Sequence, residues 1–315
     1  MWFKQVQLFQ LGDSIPYSPE KVAEQLEALA FTPCLPSLPS SAGWVSPFDD
    51  ENAPLVHALN GQILLCLQIE EKILPGAVVR QELNDRIKAI QLRDDRRVRQ
   101  KEKLSLKDEV MMTLLPRAFT KLVRLYAYID TKNNWLVLGT TNAGKTEQFM
   151  TLFKRSMTEN VRPFELNKPA PIITHWLQNQ SNPIEFSIEK ACVLQDPGQQ
   201  NRIIRCQQQD LFASSIQSIL KEGCLVKQLA LCWHDRINFI FADDFTIRSI
   251  QYQEEVIAAA NDIDTETKQQ QFDADFFIMT ETLRGMIIDL LRVFSKEETR
   301  VEAVEIKETQ EEAVA

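Results

Sequence analysis

"LYAYIDTKNNWLVLGTTNAGKT", residues 125–146, decides between two kinds of fold. Gly139, four further residues, then Gly144, Lys145 and Thr146 satisfy the phosphate-loop pattern G-x-x-x-x-G-K-[ST]. A working loop of that kind follows a strand of a mainly parallel sheet, and its backbone N–H groups, Lys and Thr cradle phosphates and Mg²⁺. Here the apolar run Trp135–Leu138 follows another strand-like run, Leu125–Asp130, after only the four residues Thr131 to Asn134. So short a connection joins antiparallel neighbours, whereas a parallel crossover needs a dozen residues or more. The stretch predicts a β-hairpin and then a helix, "AGKTEQFMTLFKRSM" (143–157), with Phe149, Leu152 and Phe153 on its apolar face. The one candidate for a second, Mg²⁺-orienting carboxylate is Asp243 or Asp244 in "INFIFADD", which falls in a turn where aspartate is favoured for local reasons. A nucleotide site at Gly144, Lys145 and Thr146 is therefore the alternative reading and not the leading one.

The flanking patterns agree with an antiparallel fold. "MWFKQVQLFQL" (1–11) reads as a strand. "SPEKVAEQLEALA" (18–30) reads as a helix, with Ser18 as N-cap, Pro19 at the first helical position and Val22, Leu26 and Leu29 on one face. "PCLPSLPSSAG" (33–43) reads as a loop and "GQILLCLQIEEKI" (61–73) as a buried strand. After the 143–157 helix and a loop, "FSIEKACVLQDPGQQNRIIRCQ" (186–207) reads as two strands around an Asp-Pro-Gly turn. "SSIQSILKEG" (214–223) is a short helix, and "KQLALCWHDRINFIFADDFTIRSIQY" (227–252) a three-stranded meander. "DADFFIMTETLRGMIIDLLRVF" (273–294) is an amphipathic helix, and the Glu-rich residues 295–315 read as a solvated tail. The expected class is α+β, mainly antiparallel sheets with flanking helices.

One segment departs from this body. Val79, Leu83, Ile87 and Ile90 form a helical stripe, but "RDDRRVRQKEK" (93–103) offers only Val98 as an apolar residue. A helix polar all round has no core to lie on. Residues 77–115 thus read as a projecting arm, up to about 40 Å long if 77–103 is one helix. "SLKDE" restarts a helix, with Ser105 and Asp108 in capping-box spacing. The body then comprises 1–76 and 116–294. Between Lys72 and Arg124 stand fourteen Lys plus Arg against seven Asp plus Glu, a net of +7 in a chain of net −9. The remainder therefore carries −16. Basic residues concentrated on a projecting element of an acidic protein are what a phosphate-backbone contact requires, and the scarcity of aromatics there favours duplex over stacked single strands.

Other chemistry is less well supported. His57, His175 and His234 have no ligand spacing, and Cys232-x-His234 lacks a second pair. Asp273-x-Asp275 stands where the last helix is expected to begin, a position acidic residues favour electrostatically. There is no G-x-S-x-G. No catalytic residue, cofactor or metal is assigned. Six scattered cysteines without C-x-x-C read as reduced, mostly buried thiols. The first residues show no export-signal pattern, and no apolar run approaches the length of a membrane span. A cytoplasmic location is expected.

The stretches "MWFKQVQLFQL", "EALAFTPC" (27–34), "GWV" (43–45), "NGQILLCLQIEEKILP" (60–75), "SLKDEVMMTLLPRAF" (105–119), "YIDTKNNWLVL" (128–138) and "DADFFIMTETL" (273–283) together resemble the recombination-associated protein RdgC family. The resemblance runs from Met1 to about Phe294. It implies an antiparallel, non-enzymatic α+β protein of the bacterial nucleoid. It further implies a head-to-head, tail-to-tail homodimeric ring that encircles double-stranded DNA without sequence preference and restrains RecA-promoted strand exchange. A basic lining inside an acidic ring would reconcile the charges. The phosphate contacts are assigned to Lys72, Arg96, Arg97, Arg99, Lys101, Lys103, Arg117, Lys121 and Arg124. Phe119, flanked by Arg117 and Lys121, is assigned to the dimer interface because a ring closed at two contacts needs an apolar patch at each. Two features depart from the family pattern: "GTTNAGKT" is not required by it, and Gln207 and Gln208 stand where members can carry lysines.

Overall fold

The computed structural model describes residues 1–12, 18–48, 50, 53–157, 161–198, 202–263 and 265–295. Strand β1 (Gln7–Leu11) leads to helix α1 (Pro19–Glu27), where Ser18 Oγ accepts from the Lys21 N–H. Strands β2 (Ser40–Val45), β3 (Val56–Leu59) and β4 (Gln62–Ile73) precede helices α2 (Gly76–Asp94) and α3 (Gln100–Leu114) and a 3₁₀ turn (Leu115–Arg117). Then come β5 (Phe119–Asp130), β6 (Trp135–Leu138), α4 (Ala143–Met157), β7 (Val161–Arg162) and α5 (Pro169–Asn179). Strands β8 (Phe186–Gln195) and β9 (Ile203–Gln207) and helix α6 (Ser214–Lys221) lead to the meander β10 (Leu225–Trp233), β11 (Ile237–Ala242) and β12 (Ile247–Tyr252). Helices α7 (Glu254–Asn261) and α8 (Lys268–Phe294) follow.

The strands form two sheets, ordered β2-β4-β5-β6-β1-β7 with β3 also on β4, and β12-β11-β10-β8-β9. Every ladder between these strands is antiparallel, so the fold is α+β as the hairpin at 125–138 predicts. Strand β4 is apolar on both faces because both are covered. Ile63, Leu65, Leu67 and Ile69 share one core with Val22, Leu26, Phe149 and Phe153 of α1 and α4. Leu64 faces the other core, with Tyr128, the second sheet and α8. Trp44 closes the first core, edge-on to Phe149 and donating from Nε1 to Ser156 Oγ at 2.8 Å. The sheets are joined at the N-terminus: Val6 exchanges backbone hydrogen bonds with Ile247, and Ile250 N–H donates to Lys4 O.

Helix α8 runs from one sheet to the other. Phe276 packs edge-on to Tyr128, and the Arg284 guanidinium pairs with the buried Asp130 at 2.7 Å. Further along, Trp233 Nε1 donates to Asp289 Oδ2 and Phe294 packs on Phe241. Gly285 is required where helix meets sheet, since a Cβ there would lie 2.8 Å from the Trp233 ring.

Several sequence-based boundaries move. The segment 33–43 is not all loop: Ser40–Gly43 begin β2, and Gly43 lets that strand approach the Phe31 backbone, where a Cβ would stand 2.4 Å from Cα. The loop expected after α4 contains α5, whose Pro169 occupies a first-turn position that tolerates proline. Helix α3 begins at Gln100 and passes through Ser105, so no capping box forms there. Helix α8 begins at Lys268, with the capping box supplied by Thr267 and Gln270. Asp273 and Asp275 therefore lie within the helix, where Asp273 is 2.9 Å from His57 Nε2 and Asp275 pairs with the Met1 amine. Helix α7 was not anticipated. The Glu-rich tail lies outside the described residues, apart from Ser295.

Candidate nucleic-acid interface

The basic segment is inserted between two strands that pair with each other along their whole length. Ile73, the last residue of β4, is opposite Phe119, the first of β5. The start of α2 and the end of α3 are thus held together at the end of that ladder, and the two helices form a hairpin. The stripe Val79, Leu83, Ile87 and Ile90 is covered by α3 instead of a body core: Val79 and Val110 are buried, and Arg86 donates to Thr113 Oγ1 across the pair. The arm is consequently two helices and a turn, about 28 Å along α2. Asp95 ends α2 in the left-handed region (φ +45°), and the buried Val98 plugs the turn. That is the role of the lone apolar residue in "RDDRRVRQKEK".

The nine basic residues fall into two groups separated by the length of the hairpin. Arg96, Arg97, Arg99, Lys101 and Lys103 occupy the tip and the first turn of α3. Lys72, Arg117, Lys121 and Arg124 stand at the base. Within the base group, alternation along β4 and β5 puts Lys72 and Arg124 on one face of the ladder and Lys121 on the other, with Phe119. Arg96 is not an open cation: it grips both oxygens of Glu102 at 2.7 and 2.8 Å and lies 3.6 Å from Asp94. The side-chain bond from Arg96, foremost, holds the Glu102 carboxyl below its ordinary range. Among the described residues, Lys72, Arg97, Arg99, Lys101, Lys103, Arg117 and Lys121 have no ion-pair partner. Arg124 Nε donates to Gln68 Oε1 at 3.2 Å, on the wall of a cleft of about 540 Å³ that also contains Phe31, Trp44 and Phe48.

Phe119 is 85 % exposed, with Ile73 opposite it and Leu122 further along the strand also exposed. Beyond β6, which covers only Ala127–Asp130, the outer edge of β5 has no ladder partner among the described residues. A large aromatic so exposed makes no contribution to the protomer core and is available for an intermolecular contact.

The phosphate-loop pattern sits at the junction of β6 and α4. Strand β6 is antiparallel to both β5 and β1. Gly139 N–H donates to Tyr126 O, which extends the hairpin. The helix N-terminus is capped from within: Asn142 Oδ1 accepts from Lys145 N–H at 3.0 Å, and Asn142 O accepts from Thr146 N–H at 2.8 Å. Thr146 Oγ1 donates to Gln7 Oε1 at 3.0 Å. Asp243 pairs with Lys227 at 2.6 Å, and Asp244 accepts from Thr246 and Arg248 within its own turn. The Lys145 and Thr146 N–H groups, the Thr146 hydroxyl and both turn aspartates, which a nucleotide and its Mg²⁺ would recruit, are thus engaged in the fold.

Residues 1–297 match the protein-family model described as "Putative exonuclease, RdgC". The chain is 35 % identical over 303 residues to the recombination-associated protein RdgC of Yersinia pestis (strain Pestoides F), covering 94 % of this chain and 99 % of that protein. The recombination-associated protein RdgC of Yersinia pseudotuberculosis serotype O:1b (strain IP 31758) shows the same identity and coverage, and that of Yersinia enterocolitica serotype O:8 is 34 % identical. The chain belongs to the RdgC family.

For an RdgC-family chain, two further features bear on the interface. Arg80, Asn84 and Lys88 line a shallow groove along α2. Their spacing of four, which puts them on one helix face, is legible in the sequence and adds them to the nine basic positions as candidates. Arg205 is exposed on β9, beside Gln207, at the edge of the second sheet. No helix among the described residues is long and apolar enough to cross a membrane.

Proposed function

We propose that this protein binds double-stranded DNA without sequence preference as a ring-shaped homodimer, and thereby restrains RecA-promoted strand exchange in the nucleoid. The observation that carries the DNA reading is the segregation of charge. A net of +7 lies between Lys72 and Arg124 of an acidic chain, and most of the cations assigned to contact lack acidic partners. Cations without a carboxylate are free to replace counterions on phosphates, which drives binding that is indifferent to base sequence. The exposed Phe119 at the start of β5 supports a closed dimer, because an aromatic anchor in a small contact supplies a disproportionate share of binding energy. The names of the relatives support a role in recombination.

The protein is read as a non-enzymatic DNA-binding factor, although the family description includes an exonuclease. What supports this is that Asp275, the inner of its closely spaced aspartates, is held by the Met1 amine at 2.9 Å, and that Asp273 faces His57 and not an open cleft. The nucleotide alternative at residues 139–146 is disfavoured by the internal cap.

The deciding experiment compares affinity for a closed DNA circle with that for a short linear duplex, with and without Mg·ATP, across a salt series. The expected result is salt-sensitive binding to both, slower release from the circle, no effect of ATP, and no shortening of end-labelled strands. Replacing Arg96, Arg97 and Arg99 together by Glu is expected to weaken all duplexes alike and flatten the salt dependence, while Lys145→Ala leaves binding unchanged. Salt-insensitive affinity would overturn the phosphate-contact reading. Saturable ATP binding abolished by Lys145→Ala would promote the alternative.

A further inference from the structure

Cys192 and Cys206 stand directly opposite each other on β8 and β9, in a ladder that also pairs Val193 with Arg205 and Leu194 with Ile204. Residues opposed in an antiparallel pair point to the same face with Cβ atoms about 4.5–5.5 Å apart. A disulfide needs Cα atoms about 4.4–6.8 Å apart, which such a pair satisfies. It also needs Cβ atoms about 3.5–4.5 Å apart, so closure draws β9 toward β8 by roughly 1 Å. Both thiols are free and buried. A groove of about 180 Å³ reaches both residues, with Arg205, Gln207 and Gln228 along it. That volume admits a molecule the size of water, which occupies about 30 Å³. Strand β9 is the outer edge of its sheet and is laddered only to β8 among the described residues. No other two cysteines face each other in any ladder of the described residues.

We propose that Cys192 and Cys206 are a peroxide-oxidisable dithiol that closes to an intrachain disulfide and pins the edge strand β9 to β8. Peroxide oxidises one thiol to a sulfenic acid and is itself reduced to water. The second thiol then displaces hydroxide from that sulfur, its proton leaves with the hydroxide as a second water, and the S–S bond forms. Two thiols and one peroxide thus yield one disulfide and two waters. Burial foremost, and then the neighbouring Cys206, push the Cys192 thiol up, so the reaction is slow compared with that of an exposed cysteine. Closure fixes the position of Arg205, which adjoins Cys206 on the edge strand.

The test uses the full chain carrying Cys34→Ser, which removes the one partly exposed thiol. The protein is incubated with hydrogen peroxide, denatured, alkylated, digested and weighed. The expected product is a peptide pair joined through Cys192 and Cys206, two hydrogens lighter, with Cys66, Cys224 and Cys232 still alkylated. Amide exchange in β9 should slow on the order of tenfold, as an edge opening becomes cross-linked. Cys206→Ser should abolish the link, and Cys192→Ala provides a second variant should the serine fail to fold by circular dichroism. The proposal is overturned if both thiols remain alkylatable after peroxide treatment, if each is oxidised separately without linkage, or if Cys192 links elsewhere.

Discussion

Glu102 is the residue that moderates the arm. Its two oxygens neutralise Arg96, and its carboxyl is held below the ordinary range by that contact. A depressed carboxylate contributes its pairing fully above the unfolded value, about 4.3, and loses it as pH falls through the lowered one. At neutral pH the pair is therefore intact, and Arg96 reaches a phosphate only by leaving Glu102. Glu102→Gln should release it: duplex affinity at low salt rises, and the slope of log K against log salt steepens by roughly 0.9, one further phosphate contact. An unchanged slope in a salt titration would place Arg96 away from DNA. Phe119 is the second telling residue. Because it is exposed in the protomer, Phe119→Ala should change stability by no more than about 0.5 kcal/mol. Sedimentation should nevertheless shift toward the protomer and duplex affinity should fall at moderate salt. A large drop in melting temperature with unchanged sedimentation would remove Phe119 from the proposed interface.

At the scale of elements, the helical hairpin is stabilised by a thin internal seam. Val79 is the one buried residue described within α2, and Val110 the one within α3. Both helices nevertheless terminate on the β4–β5 ladder, whose twelve paired positions anchor the base. Local stability should therefore decline from base to tip. Val110→Ala leaves a cavity in that seam and is expected to cost about 2 kcal/mol locally. Hydrogen exchange should show faster amides in α2 and α3 with unaltered protection in β4 and β5. Equal loss in helices and strands would mean that the hairpin and the sheet unfold as one unit.

Across the whole molecule, α8 is the element that makes one body of two sheets. Its contact with the first sheet centres on Asp130, only 1 % exposed, which accepts from Lys132 N–H, Asn133 N–H and Nδ2, and Arg284 Nε. The β5–β6 turn is thereby fixed to the helix. Arg284→Ala leaves that carboxylate buried without its cation, a change worth about 3–5 kcal/mol when such a pair is broken. In a chain of 315 residues the midpoint should fall by roughly 1.5 °C per kcal/mol, measured by thermal denaturation. A shift below one degree would show that the donors of the β5–β6 turn alone satisfy Asp130.

The short-range features of this protein were determined by its sequence. A four-residue turn between Asp130 and Trp135 admits only antiparallel neighbours, and this settled the fold class against a complete phosphate-loop pattern. Ser18 before Pro19, the apolar run of β4 and the segregation of charge into Lys72–Arg124 were equally local and equally legible. Tertiary structure decided what depends on distant partners. Residues 93–103 have no apolar periodicity, so nothing local revealed that the chain turns back at Val98 and covers its own stripe with α3. Helix α5 opens with prolines that suggest a loop until Ile173, Trp176 and Leu177 find the second sheet to pack against. The pairing of Val6 with Ile247 and of Asp130 with Arg284 is set by how sheets and helices dock. Periodicity and turn chemistry act over a few residues, whereas docking is chosen by packing that no window of sequence contains.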